Sequence, residues 1–267
     1  MFTHNLDPVF FNLGVLSVRW YSLAYIFGIL IGWWYGRLII SRKNYFEQSN
    51  FNLKTFDDLI TYLIISIIVG GRIGYILFYN PKYYLNNFLD IFKIWEGGMS
   101  FHGAMIGIIV GTFLFAKKRN IKSFFLLDVI ACVSPIGIFF GRIANFINAE
   151  LVGKVSNVKW SVIFPTVDML KRHPSQLYEA FLEGLILFLI LNFVIFKKTY
   201  KVGTCSYLFL IFYGLFRIIS EIFREPDIQI GYLFGHVSMG IFLSGIMILI
   251  GFLIYFKRND EIKSQKI

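Results

Sequence analysis

Long apolar runs separated by short polar connections organise the chain. With about 20 apolar residues needed to cross a bilayer core, these runs predict helices over residues 18–40, 59–79, 98–116, 124–147, 175–196, 204–223 and 236–256. The stretch Met1 to Leu13 has no basic n-region, and the run after it is long enough to span. It is therefore expected to stay as the first helix rather than to be cleaved. Two connections are long: residues 80–97, with Tyr83, Tyr84, Phe88 and Trp95, and residues 148–174, expected to form a small strand-bearing cap. Fixed-period repeats and low-complexity tracts are missing, as are the paired Gly/Pro-broken helices of inverted-repeat transporters. The expected architecture is all-α and integral to the membrane: seven transmembrane helices in one polytopic domain over residues 1–267, with extracytoplasmic arm and cap connections at 80–97 and 148–174.

Composition agrees with this reading and charge orients it. The chain is 57% hydrophobic, 19% aromatic and 16% charged, with a mean hydropathy of +0.65, too apolar for an ordinary water-soluble domain. Its 31 Phe and 15 Tyr suit lipid-facing surfaces and interfacial belts. Fourteen basic residues fall on one side of the predicted helices: Arg42, Lys43, Lys54, Lys117, Lys118, Arg119, Lys122, Lys197, Lys198, Lys201, Lys257, Arg258, Lys263 and Lys266. The other side holds seven: Lys82, Lys93, Lys154, Lys159, Lys171, Arg172 and Arg224. Because cytoplasmic loops are enriched in Lys and Arg, the amino terminus is expected outside and the carboxyl terminus in the cytoplasm. The net charge of +10 then serves as an anchor to anionic membrane lipids, and no nucleic-acid binding is indicated. Cys132 and Cys205 fall within apolar spans and read as inert small side chains, implying no disulfide or metal framework.

Five arginines remain within predicted helices. Arg19 and Arg37 lie near helix ends and can snorkel, which leaves Arg72, Arg142 and Arg217. A mid-membrane arginine costs about 2.5–3.5 kcal/mol on insertion scales unless it meets a partner, a cavity or an anion, so it is a functional marker. Arg142 is followed by Asn145, Asn148, Glu150 and Gly153. A guanidinium with amide donors beside it suits a phosphate oxyanion, while an Arg–Glu structural pair is the alternative. His102, within Gly97-Gly98-Met99-Ser100-Phe101-His102-Gly103, is either a structural histidine or a general base, since its ordinary pKa of about 6.5 suits proton transfer near neutrality. Tyr213, Arg217, Glu221 and Arg224 share one helical stripe, with Arg217 and Glu221 open to mutual pairing or to a ligand. Gln176 and Glu179 share a face at i, i+3, Arg72 stands within Gly70-Gly71-Arg72-Ile73-Gly74, and Tyr25 taken alone is a belt residue.

The run Gly141-Arg142-Ile143-Ala144-Asn145-Phe146-Ile147-Asn148-Ala149-Glu150-Leu151-Val152-Gly153 resembles the signature of the bacterial prolipoprotein diacylglyceryl transferase family. So do Trp95 to Gly103, His173 to Glu179 and Tyr213 to Arg217, in the same order and spacing. The resemblance implies a transferase of the bacterial cytoplasmic (inner) membrane. Such an enzyme moves the diacylglyceryl group of phosphatidylglycerol to the lipobox cysteine of a prelipoprotein signal peptide, without metal or cofactor. It further implies that Arg142 and Arg217 hold the headgroup, that His102 is the base, and that Tyr25, Asn145 and Gly153 are critical. Glu150, Tyr213, Arg72, Gln176, Glu179, Glu221 and Arg224 are expected to complete the substrate site. Ala104 and Lys154 stand where the family often has glycine and arginine. A lipid or anion transporter remains the rival expectation, but the polar residues cluster toward one side and the last helix is almost wholly apolar from Gly240 to Phe256.

Overall fold

A computed structural model of the chain describes residues 2–14, 16–42, 51–78, 80–94, 97–197, 200–226, 232–233 and 237–264. Among the described residues, six helices are long and apolar enough to cross a membrane: Trp20–Ser41, Leu53–Leu77, Ser123–Ile147, Ser175–Ile195, Thr204–Glu221 and Met239–Arg258. The remaining predicted span, 98–116, corresponds to the helix Phe101–Arg119, whose last turn carries Lys117, Lys118 and Arg119. The chain divides into two compact units, Arg37–Leu127 and Met1–Gly36 with Asp128–Ile267.

In the unit Arg37–Leu127, α2 (Leu53–Phe78) and α4 (Phe101–Arg119) pack along a seam of small residues. Ser66, Gly70 and Gly74 recur every four residues on α2, opposite Gly103, Gly107 and Gly111 on α4. A Cβ on Gly103 would stand 2.3 Å from the Gly70 carbonyl oxygen, and one on Gly107 2.2 Å from that of Ser66. This is the close backbone approach that small-xxx-small patterns permit in a membrane, where no hydrophobic effect drives helices together. α2 begins at Leu53 rather than 59 because Asn52 caps it, its Oδ1 accepting from the Thr55 amide at 2.9 Å. The polar residues near this start, Lys54, Asp57 and Asp58, escape a pattern of apolar runs. Ser100 likewise caps α4 by accepting from Gly103 N at 3.2 Å, and Asn120 in the left-handed conformation, φ 53°, ends it. Between the two helices lie α3 (Pro81–Asn86) and a 3₁₀ turn, Phe88–Phe92.

The other unit opens with β1 (Phe2–Thr3) and an antiparallel hairpin, β2 (Val9–Leu13) with β3 (Leu16–Arg19), that leads straight into α1 (Trp20–Arg42). The sequence reading contains no such hairpin: one of its strands is fused to the apolar run that continues as α1. α5 (Ser123–Ile147) approaches α1 closely, so that a Cβ on Gly28 would lie 3.0 Å from the Gly137 Cα. The connection 148–174 contributes two strands to a three-stranded sheet ordered β1-β4-β5, in which β4 (Val162–Ile163) pairs in parallel with β1 and antiparallel with β5 (Lys171–Arg172). Its core is Ala149, Val152, Val162 and Phe164, with Phe146 packed against it.

α6 (Ser175–Glu179) runs through a π-helical segment, Ala180–Ile186, into α7 (Leu187–Ile195), and α8 (Thr204–Glu221) follows. A short hairpin, β6 (Tyr232–Leu233) with β7 (Val237–Ser238), precedes α9 (Met239–Ser264). The start of α8 is pinned by buried Asp128, which accepts from the amides of Gly203 at 2.5 Å and Ser206 at 2.7 Å, the Ser206 hydroxyl at 2.6 Å and the Tyr200 hydroxyl. The Cys132 and Cys205 thiols are buried, and each donates to the Leu191 carbonyl, at 3.9 and 3.7 Å.

Candidate active site

Helices α5, α6 and α8, the π segment and Arg224 just beyond α8 bring three arginines and three glutamates into one buried cluster. Arg142 on α5 reaches Glu179 Oε2 at 2.9 Å through Nη1 and Glu183 Oε2 at 3.1 Å through Nη2. Arg217 on α8 reaches Glu179 Oε1 at 2.8 Å, Glu183 Oε1 at 3.6 Å and Glu221 Oε2 at 2.8 Å. Arg224 approaches Glu179 Oε1 at 3.8 Å. Glu179 thus meets Arg142 at Oε2 and both Arg217 and Arg224 at Oε1. The Tyr213 phenol sits among Glu183, Arg142, Arg217 and Glu179.

Exposure is graded across the cluster. The side chains of Glu179 and Glu183 are 0% exposed, Arg217 is 11% and Arg142 16% exposed. Glu179 and Glu183 are thus the more deeply buried and Arg142 and Arg217 the less. The sequence left Arg142 between a ligand and a glutamate partner; the structure pairs it with Glu179 and Glu183. Glu150 instead accepts from Asn145 Nδ2 at 3.2 Å and Asn148 Nδ2 at 3.4 Å. Glu183 was not anticipated at all, although a carboxyl four residues after Glu179 inside a spanning run is the signal that could have found it.

The segment after α5 is held in an unusual backbone. Ala149 and Leu151 adopt positive φ, 55° and 54°, a conformation that non-glycine residues rarely take and that costs roughly 1–3 kcal/mol each. The surroundings hold it in place: Glu150 N donates to Asn145 O at 2.9 Å, Gln176 Nε2 to Glu150 O at 2.6 Å, and Ser175 Oγ to Leu151 O at 3.2 Å. Gly153 then joins the cap to the end of α8. It bridges Arg224, donates to His173 O at 3.1 Å, and leaves no room for a side chain, since a Cβ would lie 2.2 Å from His173 O and 2.8 Å from Phe223 O. Arg172 clamps the same joint, donating to Gly153 O at 2.9 Å and pairing with Asp168 at 2.6 Å. That pairing holds the Asp168 carboxyl below the usual range.

Tyr25, on α1, is exposed and shares a hydrogen bond of 3.3 Å with the Tyr21 hydroxyl. Its phenol is within electrostatic reach of Glu150 and Arg142. Arg72 belongs to the other unit and organises the arm there. It donates to the carbonyls of Ile91 at 2.8 Å, Gly97 at 2.6 Å, Gly98 at 3.2 Å, Lys93 at 3.2 Å and Asp90, and lies 5.1 Å from the Tyr84 ring. The side chain of His102 and residue Trp95 lie outside the described ones.

The family profile described as prolipoprotein diacylglyceryl transferase matches residues 8–257. The chain belongs to this family. A Rickettsia bellii protein is 52% identical over 255 residues, covering 95% of both chains. A Rickettsia felis protein is 51% identical over 259 residues, 96% of this chain and 98% of its own. A Rickettsia typhi protein is 50% identical over 263 residues, 98% and 100%. Each of the three is named phosphatidylglycerol--prolipoprotein diacylglyceryl transferase. The matched residues include every segment that builds the cluster.

Proposed function

We propose that this chain transfers the diacylglyceryl group of phosphatidylglycerol to the thiol of a lipobox cysteine in a prelipoprotein, forming a thioether and releasing glycerol 1-phosphate. The observation that carries the reading, beside family membership, is the pair of guanidinium groups from α5 and α8 spaced to grip one oxyanion through both its oxygens, as they grip Glu179. Arg142 and Arg217 hold the phosphate. His102 takes the thiol proton, and the thiolate, the effective nucleophile, attacks the glyceryl carbon bearing the phosphoester. The C–O bond breaks as the C–S bond forms, and the arginines stabilise the charge that gathers on the departing phosphate.

The other site residues support this centre. Asn145, Glu150 and Gln176 shape the backbone turn beside Arg142, Gly153 seats the cap, and Tyr25 and Tyr213 flank the headgroup. Glu179, Glu221 and Arg224 set the clamp, while Arg72 acts through the arm it organises. We place the chain in the bacterial inner membrane as one polytopic domain of seven spans, α4 being the seventh, with the amino terminus outside and the arm and cap toward the lipid headgroups. Purified protein in detergent, given phosphatidylglycerol and a lipobox peptide, is expected to yield a thioether-linked diacylglyceryl peptide by mass spectrometry. Arg142→Ala is expected to lower the yield at least 100-fold, on the scale of losing a charge-stabilising donor. Absence of product from the unmodified, folded protein contradicts the proposal.

A further inference from the structure

We infer that Glu183 is a positioning residue for the phosphate clamp, acting through Arg142; the inference rests on the function proposed above and deepens it. Glu183 lies in the π segment between α6 and α7, inside the spanning run Ser175–Ile195. Its side chain is 0% exposed, so it does not meet substrate itself. It contacts both clamp arginines, Arg142 at 3.1 Å and Arg217 at 3.6 Å. Glu221, by contrast, pairs with Arg217 from the same helix and does not tie helices together.

A guanidinium presents a planar fork, and its orientation follows from which acceptors take its two Nη groups. Arg142 donates through Nη2 to Glu183 and meets Glu179 through Nη1 as an ion pair. With both carboxyl groups in place the plane of the group is fixed. Without the Glu183 acceptor, Nη2 is released and the guanidinium can close onto Glu179 alone. Replacing a whole buried ion network by well-packed apolar residues is often neutral, whereas removing one partner leaves a buried charge uncompensated. What the glutamates supply is a fixed orientation of two cations that the fold would otherwise bury at a loss.

Two readings of Glu183 make opposite predictions. If it competes with phosphate for Arg142, removing its charge tightens the use of phosphatidylglycerol. If it positions Arg142, removing its charge weakens it. Transfer is measured with phosphatidylglycerol varied as its mole fraction in mixed micelles and a lipobox peptide held at saturation, then with the two roles exchanged. Glu183→Gln is expected to raise KM for phosphatidylglycerol about tenfold, the size of one charge-assisted hydrogen bond, with KM for the peptide unchanged. Glu183→Asp keeps the carboxylate but withdraws it by one methylene, and is expected to raise the same KM; it carries the test if the Gln variant does not fold. An unchanged or lowered KM for phosphatidylglycerol in folded variant protein, with kcat alone reduced, overturns the inference. Failure of the unmodified protein to form any thioether is a different result and overturns the proposed function instead.

Discussion

Gly153 is the position where a single added carbon has the most to displace. Its would-be Cβ meets two carbonyl oxygens and the His173 Cβ within 2.8 Å, so Gly153→Ala must part the cap from the end of α8. We expect it to cost about 1–3 kcal/mol, as overpacking does, and to abolish transfer because Arg224 is paired to the same joint. Thermal unfolding in detergent and the transfer assay check the two parts. His173 offers a pH test at the same joint. Burial pushes its imidazole below the ordinary value of 6.5, and its Nδ1 lies 3.1 Å from the Tyr178 hydroxyl, which accepts from Trp160 Nε1 at 2.6 Å. Since the folded state binds the proton more weakly than the unfolded state, stability is full above pH 6.5 and falls as pH drops from there through the depressed folded pKa. His173→Phe is expected to remove this dependence from the unfolding profile between pH 5 and about 7. An unaltered profile counts against the assignment. The side chains at this joint stood in the motif His173 to Glu179, but nothing in the linear order told which carbonyls Gly153 would face.

At the scale of elements, two devices set the helix spacings on which the side-chain geometry depends. Gly184 lies next to Glu183, and a Cβ there would stand 2.7 Å from that of Phe139, one turn before Arg142 on α5. Gly184→Ala is expected to push α5 outward and raise KM for phosphatidylglycerol several-fold while the protein remains folded. An unchanged KM would show that the cluster tolerates the shift. The seam of α2 and α4 gives the second case: Gly107→Leu would place a side chain where even a Cβ falls 2.2 Å from Ser66 O. It should destabilise by more than the 1–3 kcal/mol of ordinary overpacking, read as loss of folded protein on size exclusion. The apolar runs predicted the long helices because hydrocarbon accepts only internally bonded backbone. They missed what hydrophobicity does not encode: the Asn52-capped start of α2, the hairpin before α1, and the π turn, which arises where α6 and α7 are continuous and no proline or glycine cluster marks the change.

For the whole molecule, the polar residues in spanning helices proved the most legible part of the site. Arg142 and Arg217 were marked by the expense of a charge in hydrocarbon, Tyr213, Glu221 and Arg224 by the helical stripe they share with Arg217, and Glu179 by its common face with Gln176, and they meet in one cluster. Their partnership was not legible, since Glu150 was the glutamate nearest Arg142 in sequence and Glu179 and Glu183 its partners in space. The central claim is that Arg142 and Arg217 bind a phosphate as cations paired with buried carboxyl groups. Its most direct test is equilibrium binding of glycerol 1-phosphate to the purified protein, with Arg142→Gln and Arg217→Gln compared at fixed ionic strength. The account predicts saturable binding that weakens at least tenfold in each variant. Equal binding by the unmodified protein and both folded variants contradicts it.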